Sequence, residues 1–191
     1  MASKHRPQAL ALLGGTFDPV HNAHLAMAEA ALKHLGVDAV LFMPTGRTHY
    51  RAPAVASAAD RLAMLGLAIE GNPKFRIDER ELAPQATGYT VDTLRSLRAE
   101  LGDAPIYFLM GSDQYAKLDG WKEPGEVRKL AELIVFARPG VLTDRSARTI
   151  PFESMEDSGT EIRARAARGE ELSDCVPAPV ADYIRRHGLY R

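Results

Sequence analysis

Gly14-Gly15-Thr16-Phe17-Asp18-Pro19-Val20-His21-Asn22-Ala23-His24-Leu25 is the stretch whose reading decides the fold. The apolar run Ala9–Leu13 in front of it reads as a buried strand that stops at the paired glycines. Behind it, Leu25, Ala28, Leu32 and Leu35 share one side of a helix from about Ala23 to Leu35, with Gly36 as its stop. Paired glycines after a first strand let the backbone turn sharply and approach a ligand closely. His21 and His24 are three residues apart at the helix start, so they occupy neighbouring faces of its first turn. A helix start offers free N–H groups and a partial positive charge, which favours phosphate. Two imidazoles placed there can donate to phosphate oxygens as charge builds during a displacement. Other readings stay open at this point: a plain turn, a coincidence of two histidines, or a metal pair. A G-K-[ST] phosphate loop and a G-x-G-x-x-G fingerprint are both absent from the stretch.

The rest of the chain repeats the alternation of strand and helix. Val40–Met43 is an apolar run ended by Pro44, and the polar stretch Thr45–Val55 after it reads as a loop. Ser57 and Asp60 have the spacing of a helix start, ahead of Leu62, Leu65 and Ile69. Phe75–Ile77 reads as a strand, Thr90–Leu101 as a helix, Ile106–Met110 as a strand ended by Gly111, and Leu133–Phe136 as a strand ended by Arg138-Pro139-Gly140. A short strand near Thr149–Phe152 precedes a helix from Ser158 to about Arg168, and Val180–His187 is a last helix stopped by Gly188. This order predicts an α/β fold, a doubly wound parallel sheet with right-handed crossovers and helices on both faces. Ligands of such sheets bind beyond the carboxyl ends of the strands. The loops carrying Gly14–His24, Thr45–Arg51, Gly111–Asp113 and Arg138 are therefore expected to face one site. With no repeat or linker in view, residues 1–191 are expected to form a single domain, with residues 1–8 as a disordered tail.

Composition narrows the classes. Of the 191 residues, 46% are hydrophobic and 26% charged, the balance of a soluble globular protein with a real core. A net charge of −1 provides no global basic field for nucleic acid. Cys175 is the only cysteine, which excludes an intrachain disulfide and a cysteine-rich zinc site. The segment Met1–Pro7 is short and polar with no apolar signal region after it, and the longest apolar runs are too short for a bilayer. No nucleic acid or membrane partner is expected, and the expected location is the cytoplasm.

Ser158-Gly159-Thr160-Glu161-Ile162-Arg163 is the second segment with chemical potential. Ser158 and Glu161 have capping-box spacing, so a helix start followed by solvated arginines explains it without a ligand. A helix N-terminus with two hydroxyls and an inward arginine is equally a cradle for a triphosphate.

The first motif resembles the signature G-G-[ST]-F-D-P-x-H-x-G-H of the adenylyltransferase branch of the HxGH nucleotidyltransferase superfamily, whose members share a Rossmann-like fold. The match fails only at Ala23, where the family has glycine. The resemblance implies that His21 and His24 contact the ATP phosphates and that Gly14, Gly15, Thr16 and Phe17 line the ATP and nucleotide site. The Ala23 methyl is expected to crowd the adenine and weaken ATP binding without abolishing the chemistry. The second segment resembles the superfamily's I-S-[ST]-T-x-I-R motif through Ser158, Thr160, Ile162 and Arg163, which implies that Ser158, Thr160 and Arg163 hold ATP phosphates. Asp157 and Gly159 depart from that pattern.

Within the superfamily, the acceptor-side residues resemble the nicotinate mononucleotide adenylyltransferases. Tyr89-Thr90 matches a Y-T pair whose backbone amides in that family meet the pyridine carboxylate. Gly111-Ser112-Asp113 matches a G-x-D whose acid contacts the nucleotide. Trp121 matches a tryptophan that stacks on the nicotinate ring, with Lys122 where the family often has an aromatic. Arg138-Pro139-Gly140 matches an R-P-G after the next strand. In the loop after Pro44, Thr45 stands where the family has Asn. Arg51, and after it His49, are the candidates for the acceptor phosphate. Ordinary alternatives exist for each: packing for Trp121, a helix cap for Asp113, a solvated charge for Arg138. The tail from Pro179 to Tyr190 resembles the family's closing P-x-V-x-x-Y-I-x-x-x-G-L-Y and reads as structural.

The resemblance implies an enzyme that transfers AMP from ATP to nicotinate mononucleotide, releasing pyrophosphate. Its catalytic groups would be His21, His24 and Arg163. Mg²⁺ would be carried by the phosphates rather than by a protein carboxylate cluster. Rival readings are a phosphopantetheine-adenylylating sister, a cytidylyltransferase for a small alcohol phosphate, and a nucleotide-binding module with impaired catalysis. A homo-oligomer is left open.

Overall fold

The computed structural model describes residues 9–47, 49, 52–137, 147–152 and 158–191. Among them, parallel strands form one six-stranded sheet: β1 (Leu10–Gly15), β2 (Ala39–Pro44), β3 (Phe75–Ile77), β4 (Ile106–Gly111), β5 (Glu132–Phe136) and β6 (Arg148–Thr149), in the order β3-β2-β1-β4-β5-β6. The longer helices are α1 (Asn22–Leu35), α2 (Ala58–Ile69), α3 (Thr90–Leu101), α5 (Pro124–Leu130), α6 (Gly159–Ala167) and α7 (Ala178–His187), with a single turn α4 (Ser112–Tyr115) after β4.

Alternation along the strands sorts the core into two layers. Ala11 and Leu13 of β1, Val40 and Phe42 of β2, Leu109 of β4 and Ile134 and Phe136 of β5 face one side. There they meet α1, α2, α6 and α7 through residues such as Ala28, Leu65, Ile162 and Ile184. Leu12, Met43, Phe108, Met110 and Val135 face the other side, against Val91, Leu94 and Leu97 of α3 and Val127 of α5. A strand buried on both faces needs a near-continuous apolar run, which is what these segments supply.

The chain runs outward from β1 to β2 and β3, then returns to place β4 on the opposite side of β1. This reversal opens a crevice at the carboxyl ends of β1 and β4, the switch point at which doubly wound sheets bind ligands. The Rossmann-like arrangement expected from the sequence is the observed one.

Several local expectations are corrected. Gly14 and Gly15 do not form a turn. They end β1, in register with Met43 and Pro44 of β2. The change of direction comes two residues later, at Phe17, which has a positive φ of 50°. The strand expected near Thr149–Phe152 is only Arg148–Thr149. Helix α5 was not foreseen. Its Pro124-Gly125 start resembles a turn, and among its residues Val127 alone is fully buried, so it has no apolar period to read.

Leu109 sits at the centre of the sheet with no exposed surface. Leu109→Ala is expected to destabilise the protein by about 2–5 kcal/mol, seen as a lower urea midpoint with an unchanged m-value.

Candidate active site

Two adjoining cavities open over the carboxyl ends of β1, β2 and β4. The first, about 400 Å³, is lined by Phe17, His21, Ala23 and His24 from the β1–α1 connection and by Ser158, Gly159, Thr160 and Arg163 from the start of α6. The second, about 550 Å³, is lined by Thr45, Arg47 and His49, by Glu81, by Tyr89, Thr90 and Thr93 at the start of α3, and by Trp121 and Lys122. Gly14, Gly15, Thr16, Asp113 and Gln114 line both. Because glycines form the end of β1, the common floor at Gly14 and Gly15 is backbone with no side chain standing on it.

The histidine pair is built into the helix start. His21 is the N-cap of α1, extended at φ −144° and ψ 171°, and 5% exposed. Its backbone N–H donates to Nδ1 of His24 at 3.3 Å, and the two rings lie 3.8 Å apart. An accepting Nδ1 puts the proton of a neutral His24 on Nε2, making that nitrogen a donor. The edge-to-face contact of His24 with Phe17, 4.9 Å between centroids, fixes the ring further. Asn22 anchors the same turn to the segment before α7, its backbone N–H to Cys175 O at 2.9 Å and its amide to Asp174 O at 3.1 Å.

Across the first cavity, the Ser158 hydroxyl accepts from Glu161 N at 3.2 Å, so it caps α6 as its spacing suggests. Its own O–H can still donate. Arg163 donates from Nη1 to the Asp18 carbonyl at 2.7 Å and from Nη2 to Thr160 Oγ1 at 3.3 Å. The departure at Gly159 has a physical reason here. A β-carbon at that position would stand 3.3 Å from both Arg163 Nη1 and the Asp18 carbonyl, crowding the hydrogen bond between them. Ala23 is buried at 7% exposure on the wall of this cavity.

The second cavity has an aromatic rim. Trp121 is half-buried, with its ring edge-to-face on Phe108 at 6.2 Å. It packs and forms wall at once. The His49 ring stacks on Tyr89 at 4.2 Å, and its Nε2 lies 2.7 Å from Thr87 O. Lys122 Nζ sits 4.6 Å over the Tyr89 ring and 3.1 Å from an Asp92 carboxylate oxygen, so much of its charge is already engaged. A hydrogen bond from Thr87, with help from Lys122, holds the Asp92 carboxyl below its ordinary pKa. Burial pushes the Glu81 carboxyl up, partly offset by the Thr93 hydroxyl that donates to it at 2.8 Å.

The structure thus collects the sequence-derived ATP set in the first cavity. It collects Thr45, His49, Tyr89, Thr90, Asp113, Trp121 and Lys122 in the second. Arg51, Asp157 and Arg138 with its Pro139-Gly140 lie outside the described residues.

At the first cavity is a buried polar group that the sequence did not disclose. Asp18, 6% exposed, accepts at its carboxylate from Val55 N at 2.7 Å, Ala56 N at 3.1 Å and Tyr190 Oη at 2.8 Å. Arg61, 4% exposed on α2, donates from Nη1 to Thr16 O at 2.7 Å and to Thr45 O at 2.9 Å, tying the ends of β1 and β2 together. Desolvation lowers its pKa and the Asp18 charge opposes that. Gln114, Glu81 and Arg47 were also missed as lining residues. For Gln114 the adjacent Asp113 was the available signal.

Comparison with known proteins agrees with this geometry. The cytidylyltransferase-like family model matches residues 12–165. A protein of Bordetella petrii named "Probable nicotinate-nucleotide adenylyltransferase" is 42% identical, covering 95% of this chain and 98% of its own. One of Laribacter hongkongensis with the same name is 41% identical, covering 96% and 94%. The chain belongs to the nicotinate-nucleotide adenylyltransferase family. The solved nicotinic acid mononucleotide adenylyltransferase of Plasmodium falciparum, complexed with NaAD, shares the fold at a TM-score of 0.81 and 19% identity, covering 95% of this chain and 97% of its own.

For a nicotinate-nucleotide adenylyltransferase, the second cavity depends on close backbone packing at Gly46 and Gly88. A β-carbon on Gly46 would fall 2.3 Å from the Glu81 carbonyl, so the loop after β2 would have to move. Gly46→Ala is expected to raise KM for the acceptor by about tenfold or more, the scale of 1–3 kcal/mol of packing strain, and to leave KM for ATP largely unchanged. Steady-state kinetics with each substrate varied in turn checks this.

Proposed function

We propose that the protein transfers AMP from ATP to nicotinate mononucleotide, forming nicotinate adenine dinucleotide and pyrophosphate. Two cavities that meet over the bare backbone of Gly14 and Gly15 carry this reading, because a reaction joining two nucleotides needs both held end to end. In the proposal, ATP occupies the first cavity. His21, His24 and Arg163 meet its phosphates, Ser158 and Thr160 add hydroxyl donors, and Gly14, Gly15, Thr16, Phe17 and Ala23 form the wall. The acceptor occupies the second cavity, with its flat ring against Trp121 and its approach shaped by Thr45, His49, Tyr89, Thr90, Asp113 and Lys122. Arg51 and Arg138 are proposed as further acceptor contacts.

The chemistry needs no enzyme nucleophile, since the acceptor phosphate is an anion at neutral pH. One of its oxygens attacks the α-phosphorus in line. The bond from the α-phosphorus to the oxygen bridging to the β-phosphate breaks, and pyrophosphate leaves with that electron pair. The side chains align the partners and neutralise charge as it develops. The donors facing the first cavity are imidazole, hydroxyl and guanidinium, while the Asp18 carboxylate is taken up by three donors among the described residues. That set fits Mg²⁺ arriving on the triphosphate oxygens, where the ion would supply further charge neutralisation. The proposal has the chain act as a single domain in the cytoplasm on two small molecules. No helix among the described residues is long and apolar enough to cross a membrane.

The test is pyrophosphate release from ATP with nicotinate mononucleotide, with the amide nucleotide and phosphopantetheine as comparison acceptors. Turnover is expected with nicotinate mononucleotide. Its absence, or a preference for phosphopantetheine, contradicts the proposal. His24→Ala is expected to lower kcat about a hundred- to a thousandfold, the loss typical of one donor aimed at developing charge.

A further inference from the structure

Tyr190 lines neither cavity, yet its hydroxyl is directed beneath the first. It donates to Asp18 Oδ1 at 2.8 Å. Its backbone adopts φ +68°, a conformation unfavourable for a bulky L-residue, just beyond the left-handed Gly188 that stops α7. Such a conformation persists where surrounding contacts hold it, and the Asp18 contact is one that does so. Burial and the facing carboxylate push the phenol far above its ordinary pKa, so it remains a donor.

Asp18 stands between Tyr190 and Arg163. Its carboxylate is held at both oxygens, by Val55 N at 2.7 Å on one and by Ala56 N at 3.1 Å with Tyr190 on the other. Its carbonyl accepts from Arg163 Nη1 at 2.7 Å, and the same nitrogen lies 4.0 Å from Oδ2. With the side chain fixed at both oxygens, the residue cannot swing its carbonyl away from Arg163 without breaking those bonds. On the far side, Gly159 leaves the space in which this contact forms. The Arg163 side chain is 28% exposed, so its guanidinium is held from behind while the rest faces the cavity.

We propose that Tyr190 is a positioning residue for ATP: its hydroxyl, acting through Asp18, holds the Arg163 guanidinium in the orientation that meets the triphosphate. This rests on the reading of Arg163 as a phosphate ligand. The closing tail is then part of the ATP site without touching the nucleotide.

The test is a double-mutant cycle between Tyr190→Phe and Arg163→Lys, read by steady-state kinetics and by thermal melting. Tyr190→Phe is expected to raise KM for ATP about three- to tenfold, the scale of one hydrogen bond. KM for the acceptor is expected to stay within about twofold, as for a distant, uncoupled site. In the Arg163→Lys background, Tyr190→Phe is expected to add nothing. A Tyr190→Phe enzyme that only melts earlier, that shifts both KM values together, or whose effect multiplies with that of Arg163→Lys overturns the proposal. If Arg163→Lys raises KM for ATP and Tyr190→Phe does not, the relay alone falls. If Arg163→Lys leaves KM for ATP unchanged, the phosphate-ligand reading falls and takes the relay with it. Should Tyr190→Phe not fold, Gly159→Ala disturbs the same Arg163–Asp18 contact from the other side with the tail intact. It is expected to show the same ATP-selective rise, and an unchanged KM for ATP overturns the proposal.

Discussion

The buried carboxylate of Asp18 is the constraint on which the site depends. A carboxylate removed from water costs several kcal/mol unless its lone pairs are satisfied. Here that demand is met from two separate parts of the chain, the segment before α2 and the tail beyond α7. Arg61 adds a buried cation on the carbonyl side, bonding Thr16 O and Thr45 O. Losing one donor leaves the charge buried and underpaired, so the parts are held together by the cost of separating them. The polar network serves as a clamp beneath a surface that would otherwise be the loose ends of strands and loops.

Above that clamp, topology supplies the meeting place. The order in which strands are added reverses between β1 and β4, and the end of β1 carries no side chains at Gly14 and Gly15. Helix starts then converge from two sides. α1 brings two adjoining imidazoles and α6 brings hydroxyls and a guanidinium, while α3 opens onto the second cavity with Tyr89 and Thr90. Each helix N-terminus offers N–H groups that the helix itself cannot use. Donors on one side and an apolar, aromatic wall on the other suit a polyphosphate beside a flat ring.

Much of this could be read in the sequence because its signals are local. Strands buried on both faces need runs such as Val40–Met43, and Ser57 and Ser158 cap helices where their spacing says they should. The motif residues gathered where the carboxyl ends of parallel strands must gather them. What escaped has a physical explanation too. Gly14-Gly15 looked like a turn because glycine permits one, but permission is not compulsion, and the strand ladder claimed both residues. Asp18 and Tyr190 are 172 positions apart, so nothing in either neighbourhood announces the bond. A tail that read as structural carries that hydroxyl. Nothing around Arg61 in the sequence announces that its guanidinium lies inward among carbonyls.

The central claim is that two substrates meet over one backbone floor. The most direct test is a crystal structure of the protein with nicotinate adenine dinucleotide bound. The account predicts a ligand spanning both cavities, its adenosine end in the first and its pyridine ring against Trp121. The bridging phosphates should lie over Gly15 and Thr16, within hydrogen-bonding reach of His21 and His24. A dinucleotide confined to one cavity, or one whose phosphates lie away from both imidazoles, would contradict it.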